Sequence, residues 1–171
     1  MIQDIAPRVM DNAYRDLQPT AEDFILSFQN DQLLCRAQGE QLVYPRLGQI
    51  QTENITYVYL FSIDEMRYFL ADPARTVQAE GFAYHGLGIL RKLGPREVAY
   101  AGVTAYHLDT WYRSNRYCGC CGAQTIWSHV ERRIDCPQCG HQIYPHIAPC
   151  IIVAVTDGDK LLLTRYAGRA Y

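Results

Sequence analysis

Two Cys-x-x-Cys pairs constrain this chain more than any other feature. Cys118/Cys121 and Cys136/Cys139 are separated by 14 residues, 122 to 135. Two intervening residues allow a tight turn to aim both sulfurs of a pair at one point. A spacer of this length fits a β-hairpin that returns the second pair beside the first. Four thiolates at about 2.3 Å complete a tetrahedral shell around Zn²⁺, and such a closed shell leaves no position for water or substrate. The pattern therefore predicts a structural zinc ribbon on Cys118, Cys121, Cys136 and Cys139. Gly119, Gly122 and Gly140 flank the pairs and are expected to relieve the turns, since glycine accepts positive φ. Cys120 breaks the two-residue gap and is expected to be a bystander at the knuckle tip. A disulfide framework suits secreted chains, and a redox Cys-x-x-Cys would account for one pair but not two in register.

The rest of the composition bounds the class. Of 171 residues, 49% are hydrophobic and 20% charged, as in a globular domain rather than a disordered one. The formal net charge of −2 argues against a chain whose main task is gripping nucleic-acid phosphates. The start, Met1-Ile2-Gln3-Asp4-Ile5, has neither a basic nor an apolar leader segment. The longest apolar run, 150–155, is too short to span a bilayer. A cytoplasmic location with reduced cysteines and no membrane partner is the resulting expectation. Most of the thirteen tyrosines are expected to pack in the core and at its rim.

Along the chain, residues 1–21 read as a loose lead-in. Residues 24–28 and 33–35, joined at Asn30-Asp31, read as a hairpin. Residues 42–44 and 57–61 are further strands, 64–70 is ambiguous, and Asp72-Pro73 is a break. The best helix starts at Pro95, where a missing N–H costs nothing. It carries Val98, Ala101, Ala105, Leu108 and Tyr112 on one face and ends near Ser114-Asn115. Past the ribbon, Pro145 and Pro149 hold the chain extended. A buried strand over 150–155 is expected, then a turn at Asp157-Gly158 and a returning strand over 160–165. His129, His141 and His146 are expected at the surface, and Cys35 and Cys150 as small core residues.

Trp111-Tyr112-Arg113-Ser114, Tyr117-Cys118-Gly119-x-Cys121-Gly122, Cys136-x-x-Cys139 and Tyr144-Pro145-x-Ile147-Ala148-Pro149-Cys150-Ile151-Ile152-Val153 closely resemble the NADH pyrophosphatases of the Nudix hydrolase superfamily. The likeness is continuous from about Trp111 to Arg165; the first hundred residues share only the layout. The resemblance implies an α+β architecture in three parts. These are an N-terminal α+β domain (1–113), a zinc ribbon (114–145) and the truncated start of a Nudix α/β/α domain (146–171). It also implies a homodimer that cleaves the pyrophosphate of NADH or NAD⁺ to nicotinamide mononucleotide and AMP. Some members also remove NAD caps from RNA. Tyr144 matches the family tyrosine that stacks on substrate adenine from the partner subunit, and Arg91 is a weaker match to a substrate-reaching arginine.

The family's catalytic glutamate helix, which holds Mg²⁺ or Mn²⁺ against the pyrophosphate, would lie beyond Tyr171. Only Asp157 and Asp159 are acidic after the second knuckle. This chain alone is therefore expected to carry no catalytic residue and to be inactive. The rival expectation is a non-enzymatic zinc-ribbon module binding nucleic acid or protein, with Arg113, Arg116, Arg132 and Arg133 as its positive charge.

Overall fold

The computed structural model describes every residue except Met1, Ile147, Cys150, Arg165, Tyr166, Arg169, Ala170 and Tyr171. Its order is β1 (Met10–Asp11), β2 (Phe24–Leu26), β3 (Phe28–Gln29), β4 (Gln32–Gln38), β5 (Gln41–Val43), β6 (Tyr57–Ile63), β7 (Met66–Ala71), β8 (Ala83–Gly86) and α1 (Arg96–Ser114). Then come β9 (Ile126–Trp127), β10 (Ile134–Asp135), β11 (Gln142–Ile143), β12 (Thr156–Asp157) and β13 (Lys160–Leu161). The architecture is α+β, with one α-helix and several sheets among the described residues.

Two sheets form the N-terminal part. One has the order β1-β6-β7-β2; in the other β4 pairs with β3, β5 and β8. The segment 24–29 serves both. β2 runs parallel to β7, with Ile25 opposite Phe69, and two residues later β3 runs antiparallel to β4, with Phe28 opposite Leu33. Buried Ser27 sits at the switch, its hydroxyl 2.9 Å from the Tyr84 hydroxyl. Asn30 and Asp31 close the β3–β4 turn with φ of 48° and 57°, as a two-residue hairpin turn of matching twist requires. The ambiguous stretch 64–70 resolves as a hairpin, because Asp64 takes a positive φ and β7 pairs back on β6.

The central strands are apolar on both faces because both are covered. On β7, Tyr68 and Leu70 enter the larger core, which α1 closes, while Phe69 and Ala71 enter a smaller one with Ile25, Leu34 and Tyr59. This is why residues 57–63 lack the polar alternation of a half-exposed strand. Pro95 caps α1 from just outside its first turn, with extended φ and ψ, and accepts the Val98 and Ala99 amides. The helix buries Ala101, Gly102, Ala105, Leu108 and Tyr112. Val98 is only partly buried.

The N-terminal lead-in is not loose. Ile5 lies in the larger core, and Met10 pairs with Ile63. Those contacts span more than fifty residues, so no local pattern announces them. The buried strand expected over 150–155 is also not found. Residues 151–155 lie outside any strand and are exposed, Ile152 fully so, and only Thr156–Asp157 pairs with Lys160–Leu161. A lone two-stranded hairpin has no layer to bury its apolar side against. Gly158, at φ 57°, and Asp159 form the turn. Cys150 and the end of the expected returning strand lie outside the described residues. No helix among the described residues is long and apolar enough to cross a membrane.

Asp109, fully buried on α1, provides a pH-dependent test of this packing. One carboxylate oxygen accepts Arg113 Nε at 2.7 Å; the other, Oδ1, has no hydrogen-bond partner among the described residues. Burial raises its pKa to about 6 from 3.8, against the pull of Arg113. An acid whose folded pKa is raised stabilises the fold fully only below its unfolded pKa, and that contribution is lost as pH rises through the folded pKa. The expected result is that Asp109→Asn gains urea resistance relative to wild type as pH rises from about 4 to about 7. A difference in urea midpoint that does not change with pH would refute it.

Candidate metal centre

The four predicted cysteines come together. The Sγ atoms of Cys118, Cys121, Cys136 and Cys139 all lie within 4.8 Å of one another, Cys118 and Cys136 buried, Cys121 and Cys139 exposed. Cys118 Sγ is 3.6 Å from Cys139 Sγ, and Cys121 Sγ is 3.5 Å from Cys136 Sγ. The edge of a tetrahedron of thiolates about 2.3 Å from zinc is about 3.8 Å. These separations fit that edge and far exceed a disulfide bond of about 2.05 Å. An all-sulfur tetrahedral donor set suits Zn²⁺ among common ions.

The two knuckles are built alike. The Cys118 amide donates to Ala123 O at 2.8 Å and the Gly122 amide to Cys118 O at 2.9 Å. Eighteen residues on, the Cys136 amide donates to His141 O at 2.9 Å and the Gly140 amide to Cys136 O at 3.0 Å. Gly122 and Gly140 hold φ of 75° and 74°, so both turns require glycine. Gly119 is not in the left-handed region, and the relief expected there is not needed. β9, β10 and β11 form the three-stranded ribbon between and behind the knuckles, Ile134 facing Trp127 on one side and Ile143 on the other.

The four thiols perturb one another's titration. The Cys120 and Cys121 amides, with the Cys120 N–H 3.4 Å from the sulfur, draw the Cys118 thiol down to about 6. The Cys139 amide, chiefly, lowers Cys136. Cys139 is pushed up to about 12: the His141 amide pulls it down, but the surrounding cysteines Cys136, Cys121 and Cys118 outweigh that amide. A divalent cation held among four sulfurs would deprotonate its coordinating thiols outright. Cys120 is exposed and offers only its amide to the cluster. Cys35 is buried, its thiol raised to about 11 by desolvation, as a core residue should be.

The remaining candidates are placed as follows. Tyr144 is 48% exposed, and its hydroxyl donates to Glu131 Oε1 at 2.9 Å. Glu131 also pairs with Arg133, which reaches Asp135 at 2.7 Å. The tyrosine ring is thus tied by its far end to the ribbon, a contact the sequence did not reveal. Arg91 ends a short 3-10 turn, exposed, and forms no ion pair among the described residues. His141 and His146 are exposed, and His129 is exposed beside Asp16 at 3.2 Å.

The arginines of the rival nucleic-acid reading are mostly occupied. Arg113 pairs with Asp109 and Asp31, Arg133 with Glu131 and Asp135, and Arg132 donates to Asn12 Oδ1 and Leu60 O. Of the four, Arg116 alone is exposed without an ion pair among the described residues. Sequence reasoning missed how the ribbon is docked. Tyr14 donates to Ser128 O at 2.8 Å, and Asn12 and Asp16 meet Arg132 and His129. These contacts join residues more than a hundred positions apart.

No family model matches the chain. Among curated proteins, it is 36% identical over 104 residues to the NAD-capped RNA hydrolase NudC of Pseudomonas syringae pv. syringae, covering 57% of this chain and 37% of that protein. It is 46% identical over 61 residues to the NAD-capped RNA hydrolase NudC of Pseudomonas aeruginosa, covering 36% of this chain and 22% of that one. The protein of the same name from Yersinia pestis is 40% identical over 86 residues, covering 47% and 32%. The matches therefore span little more than a third of each relative's length at most. Over the matched stretch, this chain is similar to proteins named NAD-capped RNA hydrolase, in keeping with the resemblance of its cysteine knuckles to the Nudix NADH pyrophosphatases.

Proposed function

We propose that this chain is the N-terminal and zinc-ribbon portion of a cytoplasmic, homodimeric Nudix NAD(H) diphosphatase. In this reading residues 1–113 form the N-terminal domain, 114–145 the ribbon, and 146–171 the start of the hydrolase domain. The complete enzyme hydrolyses the pyrophosphate of NADH or NAD⁺ to NMN(H) and AMP. The same cleavage at the 5′ end of an NAD-capped RNA removes the cap. The observation that carries the reading is the sulfur cluster followed by Tyr144 in a chain whose relatives bear the name NAD-capped RNA hydrolase.

Zn²⁺ on the four cysteines would be structural, fixing the ribbon and so the ring of Tyr144. The catalytic Mg²⁺ or Mn²⁺ finds no fitting site here: among the described residues, the cysteine cluster is the group of three or more His, Cys, Asp or Glu side chains placed to hold an ion. No hydrolytic step is therefore assigned to this chain, and the chain alone should not turn over NADH.

Tyr144 supplies the test. Its ring is half-exposed and restrained from both ends, by Pro145 in the backbone and by Glu131 at the hydroxyl. A preorganised ring loses little entropy when adenine stacks on it, and stacking contributes about 1–3 kcal/mol per base. In the complete enzyme, Tyr144→Ala should raise KM for NADH roughly tenfold with zinc content unchanged. Tyr144→Phe keeps the face, loses only the Glu131 tie, and should stay within about twofold of wild type. Wild-type kinetics in Tyr144→Ala would leave the tyrosine a packing residue, and equal damage from Phe would overturn stacking.

A further inference from the structure

The N-terminal sheet and the ribbon enclose a cleft of about 380 Å³, within the range of about 300–1,000 Å³ typical of small-molecule sites. Tyr14, Tyr57, Tyr112 and Trp127 contribute aromatic wall, and none of the four cluster cysteines nor Tyr144 lines it. It is thus separate from the features that carry the hydrolase reading. Its charged side chains other than Arg116 each have a polar partner. Arg15 pairs with Asp11, Asp16 lies beside His129, and Asp72 Oδ1 accepts the Ala74 amide. Arg116 lines the cleft and is exposed, with no ion pair among the described residues.

A second guanidinium without a carboxylate partner, that of Arg132, is not part of the cleft lining. It donates to two neutral oxygens, Asn12 Oδ1 and Leu60 O, and its Nε is buried and unpartnered. Guanidinium groups removed from water are ordinarily compensated by an anion. Of the two arginines, Arg116 alone lines the cleft walled by rings, and it is the cation that an anion held there would meet.

We propose that this cleft binds a planar aromatic ring carrying one anionic group, of the size and chemistry of a nucleoside monophosphate. The aromatic walls take the ring, since every base presents a π-face to stack. Arg116 takes the anion, for which its planar fork of donors is suited.

The zinc-loaded 171-residue chain can be titrated with AMP, adenosine and inorganic phosphate while tryptophan fluorescence is followed. Trp127 forms part of the wall, and Trp111 is buried outside it, so the AMP response should disappear in Trp127→Phe while calorimetry still registers binding. AMP should saturate, with adenosine about tenfold weaker. Arg116→Gln, at an exposed position that should not disturb folding, should weaken AMP about tenfold and leave adenosine unchanged. Arg116 lines this cleft and Tyr144 does not, so the Arg116→Gln result reads this site and not the proposed substrate contact. The proposal is overturned if AMP fails to saturate, if adenosine binds as tightly as AMP, if phosphate alone competes as well as AMP, or if Arg116→Gln leaves AMP affinity unchanged.

Discussion

Cys118→Ser should strip the chain of zinc and melt residues 117–143, leaving the N-terminal sheets folded. The ribbon has almost no core of its own. Its three strands are two residues each, and its fully buried apolar side chain is Ile134, with Trp127 and Ile143 partly covered. Strands this short do not hold together in water unaided. The folding energy of such a module is the metal-binding energy, about 10–16 kcal/mol for structural Zn²⁺ sites. Cys121→Ser, Cys136→Ser and Cys139→Ser should behave alike. Cys120→Ser should keep its zinc, because Cys120 gives the cluster a backbone amide and not a sulfur. Metal analysis with amide exchange over residues 117–143 distinguishes these outcomes. Full zinc retention in the four variants, or its loss in Cys120→Ser, would contradict the assignment. A further consequence concerns the docking of Tyr14 on Ser128 and of Arg132 on Leu60. Melting the ribbon should release Tyr14 and so raise proteolysis at residues 12–20.

Gly102→Ala should cost about 2 kcal/mol of stability, although alanine is the better helix former by about 1 kcal/mol. A Cβ at this position would lie 2.4 Å from the Tyr44 hydroxyl oxygen and 2.7 Å from Leu90 Cδ2. Both neighbours are buried core residues. Tyr44 also donates to Val98 O at 2.8 Å. Displacing the ring therefore costs that hydrogen bond, about 1 kcal/mol, in addition to overpacking of about 1–3 kcal/mol. Losses of this size should lower Tm by roughly 4–8 °C in a chain of this length. Tyr44→Phe removes the closest atom, so Gly102→Ala should be less damaging in the Tyr44→Phe background than in wild type. Equal costs in the two backgrounds would mean that the clash is relieved elsewhere. Glycine here therefore reflects a close approach between a helix and a tyrosine, not a backbone conformation.

What the sequence made legible was what repeats locally. The Cys-x-x-Cys spacing placed all four sulfurs in one cluster, because each knuckle is a five-residue unit closed by its own amides. The Asn30-Asp31 turn and the apolar face of α1 were readable for the same reason. The motifs from Trp111 onward resemble the Nudix NADH pyrophosphatases, and the relatives that the chain matches carry the name NAD-capped RNA hydrolase. What stayed hidden depends on contacts across the chain. Met10 pairs with Ile63, Tyr14 reaches Ser128, and Glu131 holds Tyr144; none leaves a periodicity to read. The switch of 24–29 between sheets at Ser27 was also invisible, since one continuous apolar run looks like one strand. Residues 151–155 misled in the opposite direction. Their composition is that of a buried strand, but burial requires a second layer, and their side chains are exposed.

In the function proposed above, this chain is part of an enzyme that breaks the pyrophosphate of a nicotinamide dinucleotide. The most direct measurement is product analysis by mass spectrometry after incubating NADH and Mg²⁺ with the complete enzyme, alongside the 171-residue chain. Equimolar NMNH and AMP are expected from the complete enzyme, and intact NADH from the chain alone. Intact NADH in both reactions, or cleavage at the glycosidic bond with release of nicotinamide, would contradict it.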